Sequence, residues 1–276
     1  MRKVFIDGGA NVGQSIEAFC NHYPNAEEYE IHSFEASQSP NVLGPLNTIV
    51  GAFRDKVKSI DVHNKAIWIH NGTIDFYDAG TESSSILYRT GMVNNTSVTK
   101  RKVDCIDMGD CIKSNFTKED HIVLKLDIEG AEYQVIPKLC EDGVFDYIDR
   151  FYCEIHGSKI EKNYDQSMHL LREVEKRGKS IYFWAADSYG EKGDIPYDDL
   201  LLGREYIKWH TRDIAAAYMA GDMDDADGLT EEILVAAINT MVENKIWKTR
   251  IKGTRYWLDL SSGQTLIWVR DFLDKV

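Results

Sequence analysis

Asp7-Gly8-Gly9-Ala10-Asn11-Val12-Gly13 decides the fold, because it joins a buried strand end, a sharp glycine turn and a helix start. Val4-Phe5-Ile6 ahead of it is a short apolar run of strand type. Gln14-Ser15-Ile16-Glu17-Ala18-Phe19 behind it carries helical spacing. Glycines let the backbone turn tightly and approach a ligand with no side chain in between. The helix that follows points unpaired N–H groups at the same place.

Outward from this turn, strand-like and helix-like patterns alternate to about residue 186. Glu30–Glu35 reads as a strand, 38–55 as a helix, and Val57–Ile69 as one or two strands. Asn71-Gly72 ahead of Thr73–Tyr77 suggests a hairpin. Ile122–Asp127 is the clearest buried strand, and helix 130–141 follows with Ala131, Val135, Ile136 and Leu139 on one face. Ile148–Ile155, Gln166–Arg177 and Ser180–Ala185 read as strand, helix and strand. The alternation implies an α/β fold, a doubly wound and mainly parallel sheet with helices on both faces. Ligands of such sheets bind at the carboxyl ends of the strands. Asp7, Glu35, Asp127 and the Glu154–His156 pair all fall at those ends.

The glycine turn suits a pyrophosphate or the amino-acid part of S-adenosylmethionine. Glu35 lies 22 positions after Gly13, the spacing at which an acid reaches a ribose bound over the turn. In the G-x-G-x-x-G register the middle glycine position holds Ala10, and Asp7 precedes the loop. A strand-tip acid fits the methionine ammonium better than a phosphate, which tilts the choice towards S-adenosylmethionine over a nicotinamide.

The block Leu124-Lys125-Leu126-Asp127-Ile128-Glu129-Gly130-Ala131-Glu132-Tyr133 is the most specific motif. With the Asp7–Gly13 loop, Phe34-Glu35, Asn64-Lys65-Ala66-Ile67, Ser83-Ser84-Ser85, Val103-Asp104, Ile106-Asp107 and Glu154-Ile155-His156, it closely resembles the FkbM-type methyltransferases over roughly residues 3–186. The resemblance implies a Rossmann-like domain of the class I methyltransferase type. It implies methyl transfer from S-adenosylmethionine, usually to an oxygen of a small molecule or sugar. It further implies a cofactor set of Asp7, Gly8, Gly9, Ala10, Asn11, Gly13, Ser15, Glu35, Lys65, Ala66 and Asp127. Ser84, Ser85 and Glu154 are implied on the acceptor side, and His156, Asp127 and Glu129 in catalysis; no metal is assigned.

A sugar hydroxyl is a poor nucleophile and needs a base within hydrogen-bond reach. An ordinary histidine titrates near 6.5 and an exposed aspartate near 3.9, so His156 is the expected proton acceptor and Asp127 the orienting acid. Other roles stay open: His156 as a satisfied strand-end histidine, Asp127 as a helix cap, and Glu132 as a structural helix residue. Three other functions compete. They are a metal-assisted sugar methyltransferase with Mg²⁺ on Asp127 and a neighbouring acid, a nicotinamide oxidoreductase, and a non-catalytic cofactor-binding protein.

The 276 residues carry 45 acids against 32 bases, a net charge of −13 that argues against nucleic acid as the main partner. The expected partner is a glycan or small-molecule acceptor, and a homo-oligomer is compatible with the sequence. No apolar stretch is long enough to span a bilayer, and no leader is expected before the first strand. Five cysteines without a CxxC pair read as reduced thiols of a cytoplasmic protein. The pattern divides the chain into a methyltransferase domain at 1–204 and an α+β accessory region at 205–276. The latter comprises helices near 212–220 and 230–244 and a hairpin of 256–260 with 265–269. Its Trp209, Trp247, Tyr256, Trp257 and Trp268 suit core packing or stacking on a sugar. The acids of 222–227 lack the ligand spacing of a calcium loop and read as a solvated linker.

Overall fold

The computed structural model describes residues 1–80, 84–87, 98–156, 160, 164–182, 248–250 and 257–259. In chain order β1 (Lys3–Gly8) leads into α1 (Gln14–His22), β2 (Tyr29–Phe34) into α2 (Pro40–Phe53), and β3 (Ser59–His63) follows. Three further strands, β4 (Ala66–Trp68), β5 (Gly72–Asp78) and β6 (Thr99–Asp107), precede α3 (Met108–Asn115). Then come β7 (His121–Leu126), α4 (Glu132–Glu141), β8 (Arg150–Cys153), α5 (Tyr164–Glu175) and β9 (Ile181–Tyr182). Two short strands, β10 (Lys248–Arg250) and β11 (Trp257–Asp259), pair antiparallel.

Six strands form one parallel sheet in the order β3-β2-β1-β7-β8-β9. The chain winds outward from β1 to β3, then returns to the other side of β1 and winds outward again to β9. The reversal lies between β1 and β7, where such sheets open a crevice for ligands. Register makes the crevice level: Gly8 pairs with Phe34 and with Leu126, and Leu126 pairs with Cys153. Gly9, Glu35, Asp127 and Glu154 are the next residues of those four chains, so they stand side by side on one rim.

Apolar residues on both faces explain why the central strands read as continuous hydrophobic runs. Val4, Phe5, Ile6, Ile122, Val123 and Leu124 are buried. Phe5 stacks on Phe19 of α1 at 4.0 Å between centroids, and Phe19 on Tyr23 at 4.4 Å. Each fully buried side chain of this kind contributes about 1.5–3 kcal/mol. Helix starts follow local chemistry. Ser39 accepts from the Asn41 N–H ahead of α2, with Pro40 at the first helical position, and Asp107 caps α3 through the Asp110 N–H.

The Rossmann-like, mainly parallel α/β fold is therefore present, with differences in detail. The expected 71–77 hairpin does not form with 66–69. β5 pairs antiparallel with β6, and β4 pairs parallel with the other edge of β6. Val103 and Cys105 of β6 close a small second core with Ala66 and Phe76, which fixes that order. Helix α4 starts at Glu132, two residues after the expected Gly130, because Glu129 (φ 57°) and Gly130 (φ 105°) hold left-handed conformations. Helix 166–177 appears as 164–175, ahead of Gly178 at φ 71°.

The expected helices at 212–220 and 230–244, the acidic segment 222–227 and strand 265–269 lie outside the described residues, as does the boundary at 204. Strand 257–259 is described, and its partner is 248–250, which precedes it. Among the described residues no helix is long and apolar enough to cross a membrane. All five cysteines are free thiols.

Candidate active site

A cavity of about 410 Å³ opens over the rim, within the range of cofactor-binding pockets. The strand tips form its floor. The small sheet β4-β6-β5 and the segment 84–86 roof it, through Lys65, Ala66, Phe76, Ser84, Ser85 and Ile86. The roof is fastened at two points. Ser37 donates to the buried Asp78 carboxylate at 2.9 Å, and Ser85 donates to the Glu129 carbonyl at 2.9 Å.

Glu35 stands at one end of the cavity, almost fully buried. Its Oε2 accepts from the Asn11 N–H at 2.7 Å and its Oε1 from the Ser37 N–H at 2.6 Å. A carboxylate offers about four acceptor positions, so two remain for a ligand. Burial raises the pKa of Glu35 above its usual range, against the opposing pull of the Ser37 and Asn11 amides. Asn11 itself holds φ 47°, a left-handed conformation that asparagine tolerates and that turns its N–H onto Glu35.

At the other end Asp127, Glu129 and Glu154 line the wall. His156 lies beneath them, 4% exposed. Its Nδ1–H donates to Glu132 Oε1 at 3.1 Å. Its Nε2 faces Glu154 Oε1 at 3.4 Å, Asp127 Oδ1 at 3.7 Å and Glu129 Oε1 at 3.9 Å. Glu132 is fully buried and also accepts from the N–H groups of Ile128 and Gly130, so one carboxylate holds both the imidazole and the loop.

Both groups titrate above their ordinary values here. Burial favours a neutral imidazole, but the facing carboxylates of Glu132, Glu154 and Asp127 outweigh it and hold the His156 pKa well above 6.5. Burial pushes the Asp127 carboxyl up to about 7, with Lys125 opposing the shift and Glu154 adding to it. His156 does not line the cavity; Asp127, Glu129 and Glu154 stand between it and the ligand space.

Lys125 ties the two halves of the floor together. Its ammonium, wholly buried, donates to the Gly9 carbonyl at 3.0 Å and lies 3.3 Å from Asp7 Oδ1 and 3.7 Å from Asp127 Oδ2. Asp7 is 0% exposed and accepts from Ser15 Oγ at 3.1 Å. The Asp7 carboxylate points into the core towards Lys125 and Ser15 and does not line the cavity.

Of the other expected cofactor residues, Gly9, Asn11, Lys65 and Ala66 reach the cavity with Glu35 and Asp127. Gly8, Ala10, Gly13 and Ser15 do not line it: Gly8 is packed against Ile67 and Leu126, Gly13 against Ile49, Ala10 is fully buried, and Ser15 serves Asp7. Gly9 (φ 80°) must be glycine for an internal reason, since a Cβ there would overlap the Asp127 carbonyl. Ser84, Ser85 and Glu154 of the expected acceptor set are on the wall. Sequence reasoning missed Gln14, Phe76 and Ile86 on the cavity and the bridging role of Lys125. The helical register after Gly13 would have found Gln14; strand β6, which places Phe76, carried no comparable signal.

The Methyltransferase FkbM domain matches residues 7–181. The chain belongs to this methyltransferase family. A search of solved structures matches the methyltransferase FkbM from Methylobacillus flagellatus KT, 13% identical over 75% of this chain, with a TM-score of 0.34. This chain spans 37% of the length of that protein. No curated protein matches it. The cavity runs across the strand ends from β2 to β8, with Glu35 and the Asp127–Glu129–Glu154 wall facing one space.

Proposed function

We propose that this methyltransferase uses S-adenosylmethionine and methylates a hydroxyl of a saccharide or similar polyol, as a cytoplasmic enzyme of residues 1–204 with an accessory region at 205–276. The observation that carries the reading is the two-ended cavity. Glu35 keeps two acceptor positions free at one end, as a ribose diol requires, and three carboxylates stand at the other. S-adenosylmethionine supplies a methyl group on a sulfonium centre. Glu35 would hold the ribose, with Asn11 and Gln14 beside it, and the β7 tip would hold the methionine end.

Asp127, Glu129 and Glu154 orient the acceptor and take its hydroxyl proton, which fits a neutral polyol with several hydroxyl groups to offer. Ser84 and Ser85 on the roof supply further hydroxyl partners. Free thiols throughout the described cysteines fit a reducing compartment. The test is calorimetry with S-adenosylhomocysteine and with NADH, followed by a labelled-methyl screen over sugars, glycans and other polyols. Binding of S-adenosylhomocysteine and label on a hydroxyl support the reading; binding of NADH alone overturns it.

A further inference from the structure

We propose that Asp127, Glu129 and Nε2 of His156 form a divalent-cation site on the cavity wall, with Glu154 as a fourth ligand and a preference for Mn²⁺ over Mg²⁺. One donor atom from each of the first three lies within 4.8 Å of the others. His156 Nε2 is 3.4–3.9 Å from a carboxylate oxygen of Glu154, Asp127 and Glu129. Ligands about 2.1 Å from one ion sit on the order of 3 Å apart when adjacent and 4 Å when opposite, so small side-chain rotations close the set.

The histidine separates this cluster from an ordinary group of acids. His156 is 4% exposed, and its Nδ1–H is committed to the fully buried Glu132. That bond fixes the ring and turns Nε2 towards three carboxylate oxygens. Nε2 among three carboxylate oxygens calls for a cation between them, a proton or a metal ion. A carboxylate on the far nitrogen is also how metal-bound histidines are oriented. Glu132 further holds the loop that carries Asp127 and Glu129, and Lys125 steadies Asp127 Oδ2 while Oδ1 faces the imidazole. Glu129 keeps a left-handed backbone (φ 57°), unfavourable for a residue with a Cβ, which aims its side chain at the same point.

Donor chemistry selects the ion. Oxygen-only sites suit Mg²⁺ and Ca²⁺, whereas one imidazole among carboxylates favours Mn²⁺ and later metals. Asp127, Glu129 and Glu154 line the cavity, so the open positions of the ion face the acceptor. On the methyltransferase reading, an ion there lowers the pKa of a coordinated hydroxyl.

The test is binding of Mn²⁺ alone to the full chain after chelator treatment, read by loss of the free-ion paramagnetic resonance signal. Neither cofactor nor acceptor is present, so the outcome is separate from that of the methylation screen. One Mn²⁺ per chain with sub-millimolar affinity is expected. Glu129→Gln and His156→Ala remove ligands, and Glu132→Gln disturbs the orienting bond; each should weaken binding by about 10–100-fold. Far-UV circular dichroism checks that the variants fold, and the conservative Glu129→Gln keeps the test valid if His156→Ala does not. Asp75→Asn, on the exposed outer strand β5, leaves affinity unchanged. Absence of binding at millimolar Mn²⁺, or binding indifferent to Glu129→Gln, overturns the site and leaves a proton as the cation at Nε2.

Discussion

Replacing Lys125 by methionine keeps most of the side-chain volume and removes the ammonium that joins β1, the glycine turn and Asp127. Asp7 Oδ1 has no hydrogen-bond partner among the described residues, and the Lys125 ammonium is 3.3 Å away. Lys125→Met would leave a carboxylate at 0% exposure facing a thioether, and the Gly9 carbonyl without its donor. Removing one partner of a buried ion pair costs about 3–5 kcal/mol. With a urea slope of about 2 kcal/mol/M, the unfolding midpoint falls by about 2 M. Asp7→Asn in the same chain removes the stranded charge, so the double variant recovers on the order of 1–3 kcal/mol relative to additivity. Urea titrations of the wild type, both single variants and the double variant measure this directly. A loss below about 1 kcal/mol in Lys125→Met, or simple additivity in the double variant, refutes the reasoning.

Glu35→Ala should weaken S-adenosylhomocysteine binding by about 1.5–3 kcal/mol in calorimetry, the scale of hydrogen bonds to a charged group; wild-type affinity would remove Glu35 from the ribose. Gly9→Ala forces a Cβ at φ 80° against the Asp127 carbonyl, and the left-handed strain with the overlap should cost about 2–4 kcal/mol, read as a lowered melting temperature. An unchanged melting temperature would mean that the turn and the β7 tip move apart freely. Hydrogen bonds from Arg2, joined by Lys58, hold Glu30 at about 2, below its ordinary 4.5. A depressed pKa contributes stability that is present above pH 4.5 and lost as pH falls towards 2, so Glu30→Gln should be less stable than wild type at pH 6 and converge with it near pH 2. Denaturation curves that stay parallel across that range would contradict the pairing.

The parts legible in the sequence are those where one local pattern has one structural meaning. Val4–Ile6 and Ile122–Leu124 are apolar on every residue because both faces of a central parallel strand are covered. Glu35, Asp127 and Glu154 were legible because a strand end in this fold is a rim. Orientation was not legible. Asp7 lies two residues before that rim, level with Ser33 and Lys125, and its side chain turns inward where Lys125 of the neighbouring strand supplies a buried cation. A single sequence does not show which strand neighbours which. The raised pKa of His156 depends on Glu132, Glu154 and Asp127, gathered from two strand ends and a helix start. Strand β6 stayed hidden because Thr99–Lys102 is polar and charged, and its apolar alternation begins only at Val103.

The fastenings of the roof bear on where the cavity can vary. The chain leaves the main sheet at His63 and rejoins it at His121, so everything between is one excursion. That excursion is tied to the floor by a serine–aspartate peg and a serine–carbonyl peg, by Asn64 on the Glu35 and Ser37 carbonyls, and by Ile67, Met108, Ile112 and Phe116 in the main core. Polar pegs of this kind tolerate change in the span between them, since neither depends on the exact packing of the covering strands. Substitutions in the excursion would reshape the roof of the cavity while the strand-tip floor keeps its geometry.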